Sequence, residues 1–277
     1  MAGFDVTQFA ASKAKPLPII LLLDESGSMS GDKINKLNEA VRKMLGSFKK
    51  EETQASEFLV SIIGFGGMDN GDGTGARIIN PPTSATQLQF DGVSASGMTP
   101  LGGALKLAKA IVEDKEQTPS RAYRPLVVLV TDGYPNDSWE QPFIDFVEYG
   151  RSAKCDRMAL AVGGDTDMSM LKRFVAGTGH DVFTTDQADG IVKFFKFVTM
   201  SVVTRTRSQN PNAVPKDREV KPLPAPALVE DTAEEATVCE APVTDADPES
   251  KPTSAAAPAA EPVEAAAISI DDDDFWF

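Results

Sequence analysis

Apolar residues over the first two hundred positions follow two alternating patterns. Short unbroken runs at Leu17 to Leu23, Phe58 to Phe65, Pro125 to Val130 and Met158 to Val162 predict strands buried on both faces. Ala76 to Ile79 and Asp181 to Thr184 predict two shorter strands. Between the first runs, Ile34, Leu37, Val41, Met44, Leu45 and Phe48 recur at helical spacing, with Lys, Glu and Asn between them. Leu101, Ala104, Leu105, Ala108, Ile111 and Val112 mark a second helix. Further helices are predicted over about Trp139 to Arg151, Met168 to Ala176 and Ala188 to Val203. Strands alternating with helices predict an α/β fold, a doubly wound and mostly parallel central sheet flanked by helices. In such sheets ligands bind at the carboxyl ends of the strands.

The pattern stops near residue 204. The 73 residues from Arg205 to Phe277 contain 10 of the 19 prolines, 15 alanines and no aromatic before the last three positions. Their 16 acids against 6 bases carry −10 of the chain's formal charge of −14. So little apolar bulk cannot offset the entropy of ordering, so this part is expected to be disordered. The expected organisation is an N-terminal arm (1–16), a folded domain (17–204), a Pro/Ala/Glu-rich linker (205–268) and an acidic-aromatic tip (269–277). The acidic balance argues against nucleic-acid binding by charge, which needs clustered Lys and Arg. Cys155 and Cys239 are too few for a disulfide framework, so a reducing compartment is expected. The start, MAGFDVTQFAASKAKPLP, lacks the layout of an export signal, and no uncharged apolar run approaches the roughly 18 residues of a membrane helix. The expected location is cytoplasmic.

Three loops at predicted strand ends carry candidate chemistry. Asp24-Glu25-Ser26-Gly27-Ser28 follows the first strand, and Asp24, Ser26 and Ser28 offer short oxygen side chains while Gly27 permits a tight turn. Small oxygen ligands suit a hard divalent cation. Taken alone the loop also reads as a plain turn or helix cap. Thr99, in Ser96-Gly97-Met98-Thr99-Pro100, reads equally as the N-cap of a helix with proline at its first position. Asp132, in Val130-Thr131-Asp132-Gly133, sits at the tip of the most β-like run and also fits a routine turn.

Taken together, the D-x-S-x-S loop, the distant Thr and the Asp before Gly resemble the metal-ion-dependent adhesion site (MIDAS) of von Willebrand factor A domains. The resemblance covers about Leu17 to Val203. It implies that Ser26 and Ser28 bind Mg²⁺ or Mn²⁺ directly, that Thr99 does so in the ligand-ready state, and that Asp24 and Asp132 act largely through bound waters. It further implies that a partner's Asp or Glu completes the coordination, so that the site recognises carboxylates and does no covalent chemistry. LPIILLLDESGSMSGDKI, SGMTPLGGAL and YRPLVVLVTDGYPND resemble the bacterial TerY-like, tellurite-resistance-associated branch. That branch implies an intracellular scaffold for a stress or defence complex with a protein kinase and a PP2C-type phosphatase. The Pro- and Ala-rich tail departs from the family's core pattern.

An A-domain subunit of a MoxR- or chelatase-type AAA+ machine is the alternative reading. An enzyme is not expected, because a lone His180 and the absence of a nucleophile motif or phosphate-binding loop leave little catalytic apparatus. The end of the chain, Asp271, Asp272, Asp273, Asp274, Phe275, Trp276 and Phe277, resembles the acidic aromatic tails of single-stranded-DNA-binding proteins. It is expected to be a docking peptide for a second protein. Asp69 and Asp72 lack the residues of a calcium loop and read as a hairpin turn. His180 reads as a loop residue and Cys155 as a small buried apolar one. Tyr134 and Trp139 flank the third loop as core or as rim.

Overall fold

The computed structural model describes residues 15–53, 56–67 and 74–208. Residues 209–277 of the predicted tail, with its tip Asp271–Phe277 and Cys239, and the turn at Asp69 and Asp72 lie outside the described residues. The chain order is β1 (Lys15–Glu25), α1 (Asp32–Glu51), β2 (Ser56–Gly66), β3 (Ala76–Ser84), α2 (Leu101–Glu113), β4 (Leu126–Thr131), α3 (Glu140–Glu148), β5 (Asp156–Val162), α4 (Met168–Val175), β6 (Phe183–Thr185) and α5 (Ala188–Arg207). The six strands form one sheet in the order β3-β2-β1-β4-β5-β6. Every neighbouring pair is parallel except β2 with β3.

The unbroken apolar runs are unbroken because helices cover both faces of the sheet. In β1, Leu17, Ile19, Leu21 and Leu23 face one layer with Val41, Phe48, Phe194 and Val198 of α1 and α5. Ile20 and Leu22 face the other with Leu105, Phe143, Phe146 and Phe174 of α2, α3 and α4. β1 leads to β2 on one side of itself and pairs with β4 on the other, so the strand order reverses there. Leu23 is opposite Val130, which carries Asp24 and Thr131 out together at the carboxyl edge. That reversal point is where open α/β sheets form their binding crevice.

Three elements differ from expectation. β3 continues to Ser84, through Pro81 and Pro82. It is the outermost strand, where residues without a backbone N–H are tolerated. α3 ends at Glu148 because Gly150 takes a positive φ of 81° and the chain re-forms only a short 3-10 turn at Ser152–Lys154. α5 runs to Arg207, past residue 204, because Arg205 is buried. Its Nη2 donates to the carbonyl of Arg124 (3.0 Å), and its Nη1 lies 3.5 Å from Asp156 Oδ2. His180 does lie in a loop, but it is buried with Nε2 3.3 Å from the Asp156 carboxylate. Cys155 is buried as expected, and burial pushes its thiol up to about 12. No helix among the described residues is long and apolar enough to cross a membrane.

Candidate functional site

The site is assembled from three loops at the carboxyl edge around β1 and β4. Asp24, the penultimate residue of β1, is fully buried. Its Oδ1 accepts the Ser26 N–H at 2.8 Å and its Oδ2 accepts the Thr131 hydroxyl at 2.6 Å. Burial nevertheless dominates and pushes its carboxyl up to about 6, with hydrogen bonds from Ser26 and Thr131 opposing and nearby Asp132 adding to the rise.

Beyond Asp24 the chain makes a 3-10 turn, Gly27–Met29, that presents Ser26 and Ser28 on one side. Their hydroxyl oxygens are 2.9 Å apart. Ser28 Oγ donates to Asp132 Oδ1 at 2.6 Å, and Ser26 Oγ lies 3.5 Å from the same oxygen. Gly27 is not the tight-turn residue that the sequence suggests: its φ is not positive, and a Cβ there would meet Gly97 O at an ordinary 3.6 Å. Gly97 is the constrained one, with φ of 70° and no space for a Cβ, which would collide with the backbone of Gly67. The Gly27 N–H donates to Gly97 O (3.0 Å), which ties the first loop to the second.

Thr99 does not cap α2. Pro100 occupies the cap position and the helix begins at Leu101. The free N–H groups of Gly102 and Gly103 donate to Asp137 Oδ1 (3.1 Å) and Oδ2 (3.0 Å), so the third loop caps the helix that the second loop starts. This close approach explains the glycine pair: a Cβ on Gly102 would lie 2.8 Å from the Trp139 α-carbon. Asn136 clamps Thr99 from both sides, accepting its N–H at 3.1 Å and donating to its carbonyl at 3.2 Å. Thr99 is buried, and its Oγ1 faces Gly133, where an added Cβ would sit 3.7 Å away.

The Asp132 side chain is wholly buried, with Oδ1 toward the two serines and Oδ2 held by Lys33 Nζ at 2.6 Å. The neighbouring Glu25 turns away from this cluster into a bidentate pair with Arg77, one arm of which is 2.9 Å long. Burial raises the Glu25 carboxyl despite Arg77. Tyr134 is exposed at the rim, while Trp139 is half-buried edge-on against Phe143 at 5.6 Å.

All five residues singled out in the sequence thus lie in this one cluster of loops, with Ser26, Ser28 and Asp132 in direct contact. Sequence reasoning missed Lys33, Thr131, Asn136 and Asp137. The last three lie inside the quoted YRPLVVLVTDGYPND stretch, whose hydroxyl, amide and acid beside Asp132 are the available signal. Among the described residues, no three His, Cys, Asp or Glu side chains cluster closely enough to hold a metal. The cluster is therefore two carboxylates with three hydroxyls, a set of hard oxygens with few full charges.

The profile of the von Willebrand factor type A domain matches residues 19–196. Human inter-alpha-trypsin inhibitor heavy chain H4 is 24% identical over 233 residues, covering 76% of this chain and 23% of that protein. Among solved structures, a von Willebrand factor type A protein from Catenulispora acidiphila superposes with a TM-score of 0.52 at 16% identity, covering 68% of this chain and 43% of that one. Proximal thread matrix protein 1 from the mussel byssus, with a zinc-occupied MIDAS motif, gives 0.51 at 15% identity, covering 68% and 48%. This chain thus spans about a quarter of the human relative and less than half of each structure. With the parallel sheet, the reversal of strand order and the matched span in agreement, the chain belongs to the von Willebrand factor type A domain family.

Proposed function

We propose that the domain is a metal-dependent protein-interaction module that binds a partner's carboxylate. Ser26, Ser28 and Thr99 would hold Mg²⁺ or Mn²⁺, with Asp24 and Asp132 behind them. The observation that carries this reading is the convergence of the Ser26 and Ser28 hydroxyls on one buried oxygen of Asp132, at the reversal point of the sheet. The donor set fits a hard cation: it is all oxygen, and both carboxylates are buried. Such an ion supplies an electrophile for an incoming carboxylate. The chain's own residues do the positioning. Asp24 fixes the serine loop through the Ser26 N–H, Thr131 orients Asp24, and Asn136 holds the Thr99 loop. Asp132 accepts the Ser28 hydrogen and keeps the two linked serine oxygens together beside its carboxylate.

Two exposed apolar side chains, Met98 and Tyr134, directly adjoin Thr99 and Gly133 in the chain and supply contact area for a protein partner. The TerY-like wording of the three loops supports a cytoplasmic scaffold in a stress or defence complex, with a protein kinase and a PP2C-type phosphatase as partners. The tip Asp271–Phe277 is proposed as the docking peptide for a second protein.

Thermal unfolding tests the metal reading. Excess Mg²⁺ stabilises the wild type by about 2.7 kcal/mol at a hundredfold excess over Kd. Ser26→Ala abolishes that response while keeping the fold. Equal responses from both proteins would refute the assignment.

A further inference from the structure

Lys33 is a positive charge where a cation site has no need of one. It lies at the start of α1, and its side chain is one-third exposed while that of Asp132 is wholly buried. Nζ donates to Asp132 Oδ2 (2.6 Å) and to the carbonyl of Ser28 (3.3 Å), so it grips the third loop and the serine loop together. These two bonds use two of the three ammonium hydrogens. Gly163, just beyond β5, lies alongside, where an added Cβ would come into ordinary contact with Nζ at 3.8 Å. With the side chain one-third exposed, the third ammonium hydrogen is left for an oxygen arriving from solvent.

Charge decides what that placement does. Asp24 and Asp132 contribute two negative charges, and Glu25 is balanced by Arg77. Without Lys33, a divalent ion would make the cluster neutral and a partner carboxylate would make it an anion. With Lys33, the cluster holds one negative charge before the metal, one positive charge after it, and none once a carboxylate has arrived. The lysine thus disfavours the metal and favours the acid that follows it.

Resting on the metal-site reading above, we propose that Lys33 is the carboxylate-selecting residue of the site. It lowers cation affinity and, once the cation is bound, supplies both net positive charge and a hydrogen-bond donor to a partner's Asp or Glu. A unit charge within a few ångströms of a divalent ion changes its affinity by about tenfold even at the dielectric constant of water.

The test compares wild type with Lys33→Gln, Lys33→Arg and Lys36→Gln. Lys36 is one turn further along α1 and pairs with Glu39 and Asp189, so Lys36→Gln makes the same change in net charge away from the site. Mn²⁺ alone is titrated first, followed by electron paramagnetic resonance. Succinate is then titrated into the Mn²⁺-loaded proteins and followed by water-proton relaxation. Lys33→Gln should bind Mn²⁺ about tenfold more tightly and require about tenfold more succinate. Lys33→Arg and Lys36→Gln should resemble wild type in both. Unchanged or weaker Mn²⁺ binding in Lys33→Gln overturns the proposal, and unchanged succinate binding overturns its carboxylate half. Mn²⁺ binding by none of the four proteins would overturn the metal reading as well, which is a distinct pattern.

Discussion

Asp24 makes a prediction of opposite sign for stability and for binding. Its folded-state carboxyl is raised from 3.8 to about 6 by burial, so the folded protein holds this proton more tightly than the unfolded chain does. The stabilisation from that proton is fully present below about pH 3.8 and is lost as pH rises through about 6. At roughly 1.36 kcal/mol per pH unit, the loss is about 3 kcal/mol. Asp24→Asn removes the buried charge and keeps an oxygen for the Ser26 N–H, while the Thr131 hydroxyl can rotate to accept from the new amide. In EDTA at about pH 8 the variant should therefore be more stable than wild type, by up to about 3 kcal/mol. Near pH 4.5 the gain should shrink to about 1 kcal/mol, because wild-type Asp24 is then protonated in the fold. Urea unfolding at the two pH values measures both numbers. With Mg²⁺ the order should reverse at neutral pH, since the variant loses a carboxylate of the proposed metal site. If Asp24→Asn is equally destabilised at both pH values without metal, the carboxylate is not held at a cost and the reasoning fails.

Other consequences follow from single contacts. Arg77→Ala strands the buried Glu25 carboxylate and should cost about 3–5 kcal/mol in urea unfolding, more at high pH than at low, while the pair Glu25→Gln with Arg77→Met should recover most of it. Asp137→Ala removes the acceptor of two N–H groups at the start of α2 and should cost about 1–2 kcal/mol, with weakened Mg²⁺ binding because Thr99 precedes that helix. In a Cys239→Ser background, Cys155 should resist thiol-labelling reagents until the domain unfolds, as its burial and raised thiol require; rapid labelling of the native protein would contradict the packing described.

The parts of the molecule legible in the sequence are those whose signal is local. Leu17–Leu23 is an uninterrupted apolar run because its strand is covered on both faces, and Asp24, Ser26 and Ser28 stand on one short loop. Ser26, Ser28, Thr99 and Asp132 could be gathered only by likeness to a family, since nothing in their spacing says that three loops meet. What stayed hidden depends on partners far apart in the chain. Lys33 is an ordinary helix lysine until Asp132, 99 positions away, is placed beside it. Asp137 reads as a turn residue until the N-terminus of α2 meets it. Thr99-Pro100 carried a genuine local helix-start signal, and a tertiary contact overrode it. Arg205 looked like the first residue of a charged tail because burial of an arginine is decided by what it can reach, here the Arg124 carbonyl and Asp156. The edge position that lets β3 run through two prolines is likewise a property of the whole sheet.

The central claim, that one divalent cation is held by the hydroxyls converging on Asp132, is tested most directly by counting bound Mn²⁺. Electron paramagnetic resonance of the full chain should show a single ion released by EDTA. The double variant Ser26→Ala, Ser28→Ala should show none, with circular dichroism unchanged. An ion retained at undiminished affinity by the folded double variant would contradict the claim.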